Sequence, residues 1–212
     1  MNIPEVRINF SWLLYEGESK ELYDNLKDKS TPLITYEDAE SKAELYRKAW
    51  AKHEGDILSA MQQVVDLKFY QPVIDVSLAP MFVPKSDPLI INLRYEPNHF
   101  VDTLTHELWH VLLTDNNKVS IKNNYVNLVE KWERLFGNEH SFKMLVHIPV
   151  MAGCKYIFND ILNEPKRQAR DVDDTKTWGE SGKDYLDAWE YVDSHDYKEI
   201  LSQLKGSYSG VK

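Results

Sequence analysis

The segment DTLTHELWHVLLTD, residues 102 to 115, holds two histidines four positions apart, His106 and His110, with Glu107 directly after the first. An α-helix turns about 100° per residue, so residues four apart share a face, one above the other. Two imidazoles at that pitch suit a single Zn²⁺ at about 2.0–2.1 Å. Glu107 lies beside them, where a carboxylate can hold and deprotonate a metal-activated water without being a ligand itself. Val101, Leu104, Leu108, Val111 and Leu112 project to the opposite side of the same helix, which predicts one face anchored in a core and the other open to a cleft. The other His-Glu pair, His53-Glu54, has no histidine at position 57 and reads as solvated helix surface.

The HELWH pattern resembles the active-site helix of the zincin-type zinc metallopeptidases. The resemblance covers that helix, and the preceding strands are similar to the zincin arrangement only in outline. It implies that His106 and His110 bind zinc and that Glu107 is the general base. The implied reaction is hydrolysis of a peptide bond in a peptide or protein substrate, with the edge strand of a sheet aligning the extended chain beside the metal.

A catalytic zinc site usually takes three protein ligands and a water. The chain departs from both common zincin patterns for the third. The extended pattern would place Gly at 113 and His at 116, where Leu113 and Asn116 stand. Asp115 is one place short, and the helix end would have to unwind to bring it in. The pattern with a glutamate ligand on a downstream helix finds Glu130 at about the right separation, but Glu130 points away from the Tyr125, Val129 and Trp132 stripe. His147 sits in the middle of another stripe, among Met144, Met151, Cys154, Phe158 and Ile161, two residues before Pro149. A histidine on an apolar face is more often a core residue with a satisfied hydrogen bond. Here a two-histidine site lacks a ligand, and Pro149 removes a backbone hydrogen bond and kinks the helix near His147. His147 is therefore favoured over His140, Glu130 and Asp115; His140 shares its face but lies two turns away, about 10 Å by helix rise. Tyr125 and Tyr156 are candidates to donate a hydroxyl to a developing oxyanion. Trp109 reads as a packing residue, and Cys154 as a small buried hydrophobe.

The elements that must position these groups follow from periodicity. VRINFSWLLYE (6–16), VIDVSLA (73–79) and PLIINLRY (88–95) read as strands, the last two by apolar–polar alternation. The link carrying Pro80, Pro84 and Pro88 reads as a loop or irregular edge. Residues 31–67 read mainly as helix, with Thr35 and Asp38 at the start and a break near Gly55. Further helices are expected from Asn98 to about Leu113, over 123–136 and over 140–162. Residues 164–183 read as a polar surface loop or flap, and two short amphipathic helices close the chain. Strands followed by helices predict a single α+β domain over 1–212, a small mixed or antiparallel sheet packed on the motif helix with further helices C-terminal to it.

The net charge of −9 over 212 residues leaves no basic stripe for a nucleic-acid backbone. Cys154 is the only cysteine, which excludes an intrachain disulfide and a cysteine-based zinc ribbon. MNIPEVRINF lacks a secretory pattern, and no apolar run approaches the roughly 20 residues of a bilayer span, so the expectation is a cytoplasmic protein without a membrane partner. The function these features predict is a zinc-dependent metallopeptidase. The alternative is a non-hydrolytic, zincin-like metal-binding module that binds or regulates a protein partner. Glu107 favours the enzyme, because a structural site needs no water-activating carboxylate.

Overall fold

The computed structural model describes residues 3–26, 32–119 and 121–208, and the side chains of 121–127 lie outside that description. In chain order the elements are β1 (Glu5–Phe10), α1 (Trp12–Leu14), a π-helical turn (Tyr15–Ser19), α2 (Lys20–Asp24), α3 (Tyr36–Ala51) and α4 (Glu54–Val65). β2 (Val73–Ala79), β3 (Lys85–Ser86), β4 (Leu89–Asn92), α5 (Pro97–Thr114), α6 (Ile121–Phe136) and α7 (Phe142–Tyr156) follow. A π-helical turn (Ile157–Ile161) then leads to α8 (Lys166–Lys176), a 3₁₀ turn (Gly179–Gly182), α9 (Lys183–Ser194) and α10 (Tyr197–Tyr208). The class is α+β. Among the described residues no helix is long and apolar enough to cross a membrane.

The chain divides into two compact units, Pro4–Gly55 with Gln71–Leu108, and Asp56–Tyr70 with Trp109–Lys212 and Met1–Ile3. The division falls between Leu108 and Trp109, inside the unbroken helix α5.

The first unit holds a four-stranded sheet of order β1-β2-β4-β3, in which β1, β2 and β4 run parallel and β3 pairs antiparallel with β4. The alternation of VIDVSLA does what its period demands: Ile74, Val76 and Leu78 are buried while Asp75 is exposed. β1 ends at Phe10, short of the expected 16. Ser11 turns the chain, its Oγ accepting from the Leu14 N–H at 3.4 Å to cap α1, so the apolar residues beyond it are helical. The expected strand 88–95 is likewise trimmed to Leu89–Asn92, because Asn92 Oδ1 accepts from the Arg94 N–H at 2.8 Å and closes a turn. Thr35 caps α3 as its spacing from Asp38 predicts, accepting from the Asp38 N–H at 3.2 Å and donating to the Asp38 carboxylate at 2.8 Å. Tyr46 of α3 stacks on Phe100 of α5 (centroids 4.2 Å, planes 9° apart) and donates its hydroxyl to the Tyr95 carbonyl at 2.6 Å, which fixes the entry into α5.

The second unit is helical. α7 runs through its middle, with Leu145, Ile148, Met151 and Cys154 all buried, and α10 closes it by donating the Tyr208 hydroxyl to the Leu113 carbonyl at 2.9 Å. Residues 164–183, expected to be a loop or flap, are instead α8 and a 3₁₀ turn. The inward stripe of α8 is polar: Arg167, Asp171 and Thr175 recur every four residues. Arg167 forms two hydrogen bonds to the Glu164 carboxylate (3.0 and 3.1 Å), and Asp171 accepts from the Trp189 indole at 2.8 Å. A search for apolar periodicity passes over such a helix, whose buried face is satisfied by hydrogen bonds rather than by carbon.

At Gly153 of α7 an added Cβ would overlap the fully buried Trp109 indole of α5. Only a residue without a side chain fits there. Gly153→Ala is therefore expected to destabilise the fold by about 1–3 kcal/mol, the cost typical of overpacking a tight core. Equilibrium denaturation measures it; a variant as stable as the wild type would show that the two helices are not in contact at this point.

Candidate metal centre

Helix α5 is more deeply embedded than a helix with one apolar stripe. Besides the apolar set, Asp102, Thr105 and Glu107 are buried, Trp109 is inaccessible, and His106 and His110 are half-buried. The two histidines stand one turn apart on this helix, as their spacing requires. His147 comes in from α7, and its ring meets that of His110 edge-on (centroids 4.9 Å, planes 80° apart). The ligand nitrogens of His106, His110 and His147 all lie within 4.8 Å of one another. Four-coordinate zinc with nitrogens at about 2.0–2.1 Å asks for separations of about 3.4 Å, a difference that small side-chain rotations span. The three side chains could therefore hold a metal ion.

His147 is held in the form a metal requires. Its Nδ1 lies 2.6 Å from the Lys143 carbonyl oxygen, which can only accept, so the proton resides on Nδ1 and the lone pair on Nε2. Burial lowers its pKa to about 4, so the imidazole is neutral near pH 7. α7 continues through Pro149 from Phe142 to Tyr156, and the anchor of His147 is the Lys143 carbonyl rather than a break in the helix.

Glu107 is 6% exposed, and burial raises its carboxyl to a pKa of about 8. A divalent cation at the neighbouring imidazoles would lower it again, since an adjacent positive charge favours the carboxylate.

The other candidates lie elsewhere. Glu130 is exposed and faces Arg134 at 3.9 Å along α6. His140 precedes α7, 3.6 Å from Glu139 and with its ring 5.7 Å from that of Tyr191. Asp115 follows the end of α5, its N–H bonded to the Val111 carbonyl at 2.8 Å, so the helix does not unwind to present it. Tyr156 is nine residues beyond His147 on the same helix, about 13 Å by helix rise. The side chain of Tyr125 lies outside the described residues. Trp109 and Cys154 are core residues. The sequence reading missed Tyr185 of α9, whose ring packs on that of His147 (centroids 4.2 Å, planes 55° apart). Thirty-eight positions separate the two, and no local pattern links them.

Compared with protein-family models, with curated proteins and with solved structures, the chain matches none.

The burial of Glu107 has a measurable consequence in the metal-free protein. Below about pH 4.5 the carboxyl is protonated whether the chain is folded or not; between there and about pH 8 the unfolded chain ionises first. Stability is thus lost as pH rises through this window, by up to about 1.4 kcal/mol per unit. His147 acts in the opposite direction, its contribution being lost as pH falls from 6.5 towards about 4. Glu107→Gln, neutral at every pH, is expected to gain stability over the wild type progressively from about pH 5 to about pH 8 in chelator. A difference between the two that stays constant with pH would contradict the burial of this carboxyl.

Proposed function

We propose that the chain is a zinc-dependent metallopeptidase that hydrolyses peptide bonds. The observation that carries this reading is the convergence of three imidazoles from two helices, with a buried carboxylate next to one of them in sequence. Three imidazole nitrogens are a donor set that zinc accepts while keeping a fourth position open. His106, His110 and His147 would hold the ion; bound there, Zn²⁺ would polarise a carbonyl and make water a nucleophile near neutral pH. Glu107, kept ionised by the field of the bound cation, would take the proton of the attacking water and return it to the leaving amine. The Lys143 carbonyl engages Nδ1 of His147 and so leaves Nε2 as the nitrogen to offer a metal. The burial around Glu107 keeps bulk water from competing for its proton. The substrate is a peptide or protein.

About one zinc per chain is expected in the purified protein, removable by chelation, and His106→Ala or His110→Ala should abolish its retention. Glu107→Gln should keep the metal and the fold while losing hydrolysis by about a hundredfold or more, since the amide cannot accept the proton. Metal analysis together with a peptide-library assay decides the outcome. Zinc retained by the double histidine variant would refute the centre. Zinc bound by a wild type as inert as Glu107→Gln would favour a metal-binding module that engages a protein partner.

A further inference from the structure

We propose that Tyr185 is a positioning residue for the metal centre: its ring, delivered by α9, fixes the orientation of the His147 imidazole. The inference rests on the reading of His106, His110 and His147 as metal ligands, and it concerns the third ligand alone.

A histidine that must bind a metal through Nε2 has two torsions to fix. The bond from Nδ1 to the Lys143 carbonyl constrains the ring edge, and ring packing acts on its faces. On one side the His110 imidazole meets the His147 ring edge-on; Tyr185 also covers it, with centroids 4.2 Å apart. The Tyr185 ring is itself backed by the Trp178 indole, edge-on at 5.3 Å, and by the Lys143 ammonium 5.5 Å from its centroid. The result is a continuous run of rings, His110, His147, Tyr185 and Trp178, whose inner end is the metal centre.

Local bonds explain why Tyr185 arrives there. Its neighbour Asp184 accepts from the Ser141 hydroxyl at 2.6 Å, and the same Ser141 Oγ accepts from the Met144 N–H at 3.1 Å to cap α7. The first turn of α9 is therefore tied to the first turn of α7. With Asp184 fixed on Ser141, the next residue of α9 falls over the His147 ring, six residues beyond the cap on α7. Lys143 serves twice, its carbonyl holding the His147 ring and its ammonium facing Tyr185. The Trp178 that backs the phenol directly precedes the 3₁₀ turn, so this polar stretch contributes a ring to the run.

This role belongs to the ring and not to the phenol hydroxyl, so the conservative variant must rescue it. The test uses the full chain and Co²⁺ alone as probe, because cobalt reports coordination geometry through its visible absorption. Tyr185→Phe is expected to bind Co²⁺ within about threefold of the wild type, with the same spectrum. Tyr185→Leu is expected to bind about 10–100-fold more weakly with an altered spectrum, the range typical of losing a group that orients a ligand. Asp184→Asn keeps the ring but weakens its tie to Ser141, and should cost about threefold to tenfold; it provides the answer if Tyr185→Leu does not fold. Tyr185→Leu with wild-type affinity and spectrum would overturn the role of Tyr185 while leaving the centre intact. So would Tyr185→Phe as weak as Tyr185→Leu, since the hydroxyl would then be the working group. A wild type that takes up no Co²⁺ would overturn the metal centre and this role with it.

Discussion

Helix α7 can lie against α5 only because Gly153 has no side chain where the Trp109 indole is packed. That contact sets the separation of two helices, and the separation decides whether an imidazole on one can meet an imidazole on the other. His110 and Trp109 are adjacent on α5; His147 and Gly153 are six residues apart on α7. The steric constraint at one end of the crossing thus becomes the 4.9 Å approach of two rings at the other. Protein interiors are close-packed and pass such shifts along rather than absorbing them. The surrounding structure holds the crossing in place: α10 pinned to Leu113, and α9 tied to the first turn of α7.

Within that frame two buried groups at the histidine cluster are held away from their ordinary protonation. Glu107 is buried and pushed towards its protonated form, while His147 is buried and pushed towards its neutral form. Neither shift serves the fold: each group would be better solvated in the unfolded chain over part of the pH range. A cation bound at the histidine cluster would meet a neutral His147 imidazole and would favour ionisation of the buried Glu107.

Much of this was legible in the sequence, and the parts that were not have identifiable reasons. The spacing of His106, Glu107 and His110 is a property of one helix, so local periodicity reveals it. β2 shows its buried face for the same reason, with Ile74, Val76 and Leu78 inside. His147 could be singled out as a polar residue on an apolar face, but the sequence could not supply the Lys143 carbonyl that orients it. Pro149 lies inside α7, which continues from Phe142 to Tyr156 around it. The helix α8 escaped because its inward stripe, Arg167, Asp171 and Thr175, is polar, and hydrogen-bond partners such as Glu164 and Trp189 make that burial tolerable. Tyr185 escaped because its position depends on the Ser141–Asp184 tie between two helices distant in the chain.

The central claim is that three imidazoles, one of them His147, share a single ion. X-ray absorption at the zinc edge of the reconstituted protein tests it most directly, because it counts ligands and measures their distances without reference to activity. The account predicts multiple scattering from three imidazoles with zinc–nitrogen distances of about 2.0–2.1 Å, falling to two in His147→Ala. A wild-type spectrum with two imidazoles and a carboxylate oxygen, unchanged by His147→Ala, would contradict it.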